Sequence, residues 1–150
     1  MDLFDQVSAD IKAAMLAKDR VKLEALRQVK KFFLEAKTAP GANDRLADEA
    51  ALKIILKLVK QGRDSAQIYG EQNRPELAEA ELAQVRVLEG YLPRQLSAEE
   101  LDAELRKIIA GTGAAGPQDL GRVMGVATKA LSGKAEGRAV SEAVKRILAG

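Results

Sequence analysis

Gly116-Pro117-Gln118-Asp119-Leu120-Gly121-Arg122-Val123-Met124, followed after six intervening residues by Leu131-Ser132-Gly133-Lys134-Ala135-Glu136-Gly137-Arg138, is the most punctuated part of this chain. It reads as a helix opened by Gly-Pro and closed by a glycine, then a basic elbow, then the start of a last helix. The expected helix runs from about Pro117 to Leu131, with Leu120, Val123, Met124, Ala127 and Leu131 on its apolar side. The last helix starts near Gly137 and carries Val140, Ala143, Val144, Ile147 and Leu148.

Upstream of that stretch, apolar residues recur at helical spacing and no strand alternation competes. Leu3, Val7, Ile11, Ala14 and Met15 make one stripe. A second helix follows Asp19 and stops at Thr38-Ala39-Pro40-Gly41, because proline disfavours helix at the residue before it. Residues 40–47 form a loop. A third helix starts near Asp48 and carries Leu52, Ile55, Leu56, Val59, Ala66 and Tyr69. Gly62 inside it either lets a neighbour come close or breaks the helix. Gly70 to Arg74 is a turn. Pro75 opens a fourth helix that ends before Pro93. Ser97-Ala98-Glu99-Glu100 is a capping box for a fifth, closed by Gly111-Thr112-Gly113. The fold expected is all-α. An N-terminal helical domain of about four helices spans residues 1–92, and a three-helix domain spans residues 93–150, divided at Tyr91-Leu92-Pro93-Arg94-Gln95-Leu96.

The chain has neither cysteine nor histidine. Thiol nucleophiles, imidazole bases and thiolate or imidazole metal sites are therefore excluded. No phosphate-cradling loop or dinucleotide fingerprint is present. No catalytic residue, metal site or cofactor is expected. The start of the chain lacks the pattern of a signal peptide, and no apolar run reaches the length of a membrane span, so a soluble cytoplasmic protein is expected.

The net charge of +2 conceals segregation. Residues 12–37 hold eight Lys/Arg against three Asp/Glu, a net +5. Residues 64–104 hold three against ten, a net −7. Residues 105–150 hold eight against three, again +5. Ordinary solvated helix faces give such a pattern; so does one cationic face that meets an anionic partner. Lys60, Arg63, Asp64, Ser65 and Tyr69 share a helical surface and read as a polar network between helices, with Arg74 and Glu81 as further members.

These signals, in this order, resemble the GatB/YqeY family, and within it the free-standing YqeY-like proteins. Ala17-Lys18-Asp19-Arg20 with Leu23, Leu26 and Arg27 is similar to the family's opening hairpin. Lys60-Gln61, Arg63-Asp64-Ser65, Tyr69, Arg74, Leu77-Ala78 and Glu81 are similar to its central signature. Tyr91 to Leu96 resembles its interdomain sequence, and the two segments quoted first resemble its tail motifs. Three positions depart from the pattern: Gly62 stands where a basic residue is usual, Arg122 where lysine is commoner, and Glu136 where aspartate is commoner. Glutamate is the poorer helix cap.

The resemblance implies a tail like that of the GatB subunit of tRNA-dependent amidotransferases, which contacts tRNA while catalysis lies elsewhere in that enzyme. Arg122, Lys129, Lys134, Arg138 and Lys145 are then the RNA-contacting residues. The partner expected is tRNA, with a tRNA synthetase or amidotransferase as a further partner, and neither DNA nor membrane. The family's label, carbon–nitrogen ligase with glutamine as amide donor, belongs on this reading to the larger enzyme. Two alternatives stand beside it: a protein–protein module without RNA affinity, and a participant in amide transfer itself.

Overall fold

The computed structural model describes residues 1–150 and contains α-helices joined by turns, with no strand. They are α1 (Leu3–Ala17), α2 (Arg20–Lys37), α3 (Asp48–Glu71), α4 (Pro75–Glu89), α5 (Ala98–Thr112), α6 (Leu120–Ala130) and α7 (Gly137–Ala149). The chain forms two compact units, Met1–Leu92 and Pro93–Gly150, each with its own apolar core.

In the first unit, local capping sets the helix starts. The Asp2 carboxylate accepts from the Asp5 N–H and the Asp19 carboxylate from the Lys22 N–H, each satisfying a donor that the first turn leaves open. Inward-facing residues of all four helices meet in one core: Val7; Leu26, Val29 and Phe33; Ile55 and Val59; Val85 and Leu88. Phe33, Leu26 and Ile55 are fully buried. Each contributes about 1.5–3 kcal/mol relative to exposure.

α3 runs through Gly62 without a break. A Cβ at that position would lie 2.6 Å from Val85 Cγ2 and 3.9 Å from Glu81 Oε2. The glycine is therefore a notch that receives Val85 of α4. α3 also extends to Glu71, slightly further than the turn expected at Gly70–Arg74, because the Gln72 N–H still reaches the Ile68 carbonyl. The Arg74 N–H then closes the end on the Tyr69 carbonyl at 2.8 Å.

The second unit opens with the capping box in full. Ser97 Oγ accepts from the Glu100 N–H, and the Glu100 carboxylate accepts from the Ser97 N–H. Arg94 also donates both terminal nitrogens to Glu100, at 3.1 and 2.6 Å. The Arg94 contact, followed by the Ser97 N–H, pulls the Glu100 carboxyl down to about 2. α5 ends at Gly113, whose φ of 71° is the left-handed cap that glycine adopts without strain.

The helix expected from Pro117 divides in two: a 3-10 turn at Pro117–Asp119 and then α6 from Leu120. The Asp119 carboxylate turns back to accept from the Ala115 and Gly116 N–H groups, which tightens the entry. α6 stops at Ala130, one residue before Leu131. The chain then turns through Gly133 at φ 75° and enters α7. Leu101 and Leu105 of α5, Val123 and Ala127 of α6, Leu131, and Val140, Val144 and Leu148 of α7 make the core.

Candidate nucleic-acid interface

The elbow between α6 and α7 is held from behind by the segment that precedes α5. The Gln95 side-chain amide donates to the Gly133 carbonyl at 2.6 Å and to the Pro93 carbonyl at 3.0 Å. The Leu96 N–H donates to the Lys134 carbonyl at 3.0 Å. Gln95 thus shapes the elbow without belonging to it. Only its place in the Tyr91–Leu96 segment singles it out in the sequence.

The five cations named from the sequence fall into two rows and a link. Arg122 and Lys129 are seven residues apart on α6 and so share its outer side. Arg138 and Lys145 have the same spacing on α7. Lys134 stands in the elbow between the rows. All five are exposed.

Their electrostatic settings differ. Arg122 lies 3.2 Å from Asp119, and Arg138 Nε lies 3.1 Å from Glu142. The Arg138 side chain is nevertheless 80% exposed and its partner 66%, so that pair is weak. Lys129, Lys134 and Lys145 have no carboxylate within 4.0 Å. Of the tail's other cations, Arg146 is bound to Asp102 at 2.7 Å and Lys107 lies 3.6 Å from Glu104.

The two helix entries also differ. At Gly116 the backbone N–H is turned onto Asp119. The Ala115 N–H, then the Gly116 N–H and Arg122, hold that carboxyl below its ordinary range. That helix entry is filled by the chain's own carboxylate. At α7 the N-cap residue Glu136 makes no side-chain capping bond, so the first-turn N–H groups have no side-chain acceptor from the cap. Lys134 precedes and Arg138 opens α7, so two exposed cations flank its positive end, beside the carboxylate of Glu136.

On α3 one member of the expected polar surface makes an inter-helix link. Arg63 donates to Glu89 at 2.7 Å, linking α3 to the end of α4, and neither Arg74 nor Glu81 joins that pair. No three His, Cys, Asp or Glu side chains gather where they could hold a metal ion. No helix is long and apolar enough to cross a membrane.

A family model described as "Yqey-like protein" matches residues 4–148. The chain is also similar to fungal proteins named "Altered inheritance of mitochondria protein 41, mitochondrial". The one from Pyrenophora tritici-repentis is 26% identical over 147 residues, which cover 95% of this chain and 79% of that protein. The one from Kluyveromyces lactis is 33% identical over 104 residues, covering 67% of this chain and 55% of that protein. The one from Vanderwaltozyma polyspora is 32% identical over 103 residues, with the same coverage. In the last two, the match takes in just over half of the relative's length.

Proposed function

The chain belongs to the YqeY-like protein family, and from that premise we propose that it is a non-catalytic adaptor that binds tRNA, or an enzyme that handles tRNA, through the basic corner of its second unit. The observation that carries the reading is the start of α7. There a helix entry with no side-chain cap from Glu136 stands beside Lys134 and Arg138. Backbone donors, the helix dipole and two cations together suit a phosphate group. Lys129 and Lys145 extend the cationic surface along the two helices. Arg122 joins it by exchanging Asp119 for a phosphate.

All five aromatic residues lie before Pro93, so the second unit has no ring on which to stack a base. Contact there is with the backbone and shape of a folded RNA, not with its sequence. The carbon–nitrogen ligase label is best read as a property of the larger amidotransferase whose tail this unit resembles. The place of action proposed is the cytoplasm. The fungal relatives are called mitochondrial, and both are compartments in which tRNA is made and used.

The test is salt-dependent binding of tRNA to the full chain and to the Lys134→Gln/Arg138→Gln variant. The variant should bind more weakly, and the slope of log affinity against log salt should fall by about one unit for each phosphate no longer neutralised. Absence of tRNA binding by the parent chain at low salt overturns the reading.

A further inference from the structure

A second cationic surface lies in the first unit, on α2. That helix carries Arg20, Lys22, Arg27, Lys30, Lys31 and Lys37 against Glu24 and Glu35. Viewed down the axis, Arg20, Arg27, Lys30, Lys31 and Lys37 fall within about 60° of Leu34. They form one strip about 25 Å long, with the two glutamates along one edge.

The strip lacks internal neutralisation. Arg20, Arg27, Lys30 and Lys31 have no carboxylate within 4.0 Å, a setting they share with Lys129, Lys134 and Lys145 of the second unit, while Lys107, Arg122, Arg138 and Arg146 are paired. Arg27 and Lys31 are four residues apart and repel each other, so the row costs the helix stability. Aromatic rings steady part of it: Lys37 Nζ lies 4.0 Å and Lys30 Nζ 5.9 Å from the centre of the Phe4 ring, and Lys31 Nζ lies 5.8 Å from that of Phe32. A shallow groove of about 470 Å³ runs between Arg27, Lys30, Lys31, Leu34, Glu35 and Thr38.

We propose that this strip docks the phosphate backbone of structured RNA, as a contact separate from the corner at α7. Three kinds of anionic partner suit a row of cations, and the apolar content decides among them. An acidic amphipathic helix needs a row of exposed apolar anchors in its groove, and stable attachment to a membrane takes an apolar or lipid signal beside the basic one. Within the groove Leu34, 42% exposed, is the one large apolar side chain that is exposed. A single such residue is ordinary surface. What remains is a row of cations, of which Arg20, Arg27, Lys30 and Lys31 have no carboxylate within 4.0 Å while Lys37 lies near Asp2; it matches a linear array of phosphates and reads charge, not sequence.

The experiment uses the full chain and a fluorescent A-form RNA hairpin, titrated at several salt concentrations. The Arg20→Gln/Arg27→Gln/Lys31→Gln variant changes only exposed side chains. It should weaken hairpin binding about tenfold or more at low salt and lower the log–log salt slope by about 2 to 3. Arg20→Lys/Arg27→Lys, which keeps the charge, should retain the parent slope. Unchanged affinity and slope in the glutamine variant, with an unchanged melting curve, overturn the proposal. So does a variant that keeps the hairpin and loses an acidic amphipathic peptide. The Lys134→Gln/Arg138→Gln chain run in parallel separates the two surfaces. If it binds like the parent while the α2 variant does not, the corner at α7 fails and the strip stands.

Discussion

The Tyr91 hydroxyl donates to Asp10 Oδ2 and so ties the segment after α4 to the middle of α1, 81 residues earlier. Partial burial, first, and then the bond to Asp10 raise the Tyr91 pKa well above its ordinary value. The raised value marks a proton held more tightly in the folded chain than in the unfolded one. Its contribution is present in full below the unfolded pKa of about 10 and is lost as pH rises beyond it.

Tyr91→Phe should therefore destabilise the first unit by about 1.5–3 kcal/mol at neutral pH, the range for a hydrogen bond to a charged acceptor. The parent chain should lose stability above pH about 10 more steeply than the variant. Urea unfolding at pH 7 and at two alkaline pH values checks both outcomes. Parallel pH profiles for the two chains would sink the account.

Gly62→Ala fills the notch that receives Val85. Overpacking there costs about 1–3 kcal/mol, offset by up to about 1 kcal/mol of improved helix propensity. A net loss of up to about 2 kcal/mol is expected. In Gly62→Ala/Val85→Ala the clash is gone, so the cost of the two changes together should be less than the sum of the single costs. Thermal unfolding of the three variants measures the coupling.

Gln95→Ala leaves the Gly133 carbonyl without its side-chain donor. A loss of about 0.5–1.5 kcal/mol is expected. Faster hydrogen exchange of the neighbouring Leu96 amide should accompany it, because that N–H bonds to the Lys134 carbonyl in the same elbow. If the elbow positions Lys134 for phosphate, tRNA affinity falls in this variant although no charge has changed. Unaltered exchange at Leu96 would show that Gln95 does not hold the elbow.

The helices were legible because their signals are local. Val7, Ile55, Val123 and Val144 announce a buried stripe by spacing alone, and Ser97 with Glu100 announces a cap within four residues. What was not legible depends on residues that meet only after folding. Gly62 is ambiguous in the sequence, and only the packing of Val85 against it gives it a role. Gln95 meets Gly133 across 38 positions and Tyr91 meets Asp10 across 81, and no periodicity encodes either contact.

At the candidate site the positions of the cations could be read, but not their neutralisation. Asp119–Arg122 and Arg138–Glu142 are spaced three and four apart, so their pairing was available as a local signal. The return of Asp119 onto the Ala115 and Gly116 amides needed the actual path of the turn.

The notch at Gly62 also bears on the order of assembly. It joins residues 23 positions apart, whereas the Tyr91–Asp10 bond closes a loop of 81. By the logarithmic cost of loop closure, the first contact forms at about 1 kcal/mol less entropy than the second. Contacts within the α3–α4 hairpin thus cost less chain entropy to close than the tyrosine's bond to α1.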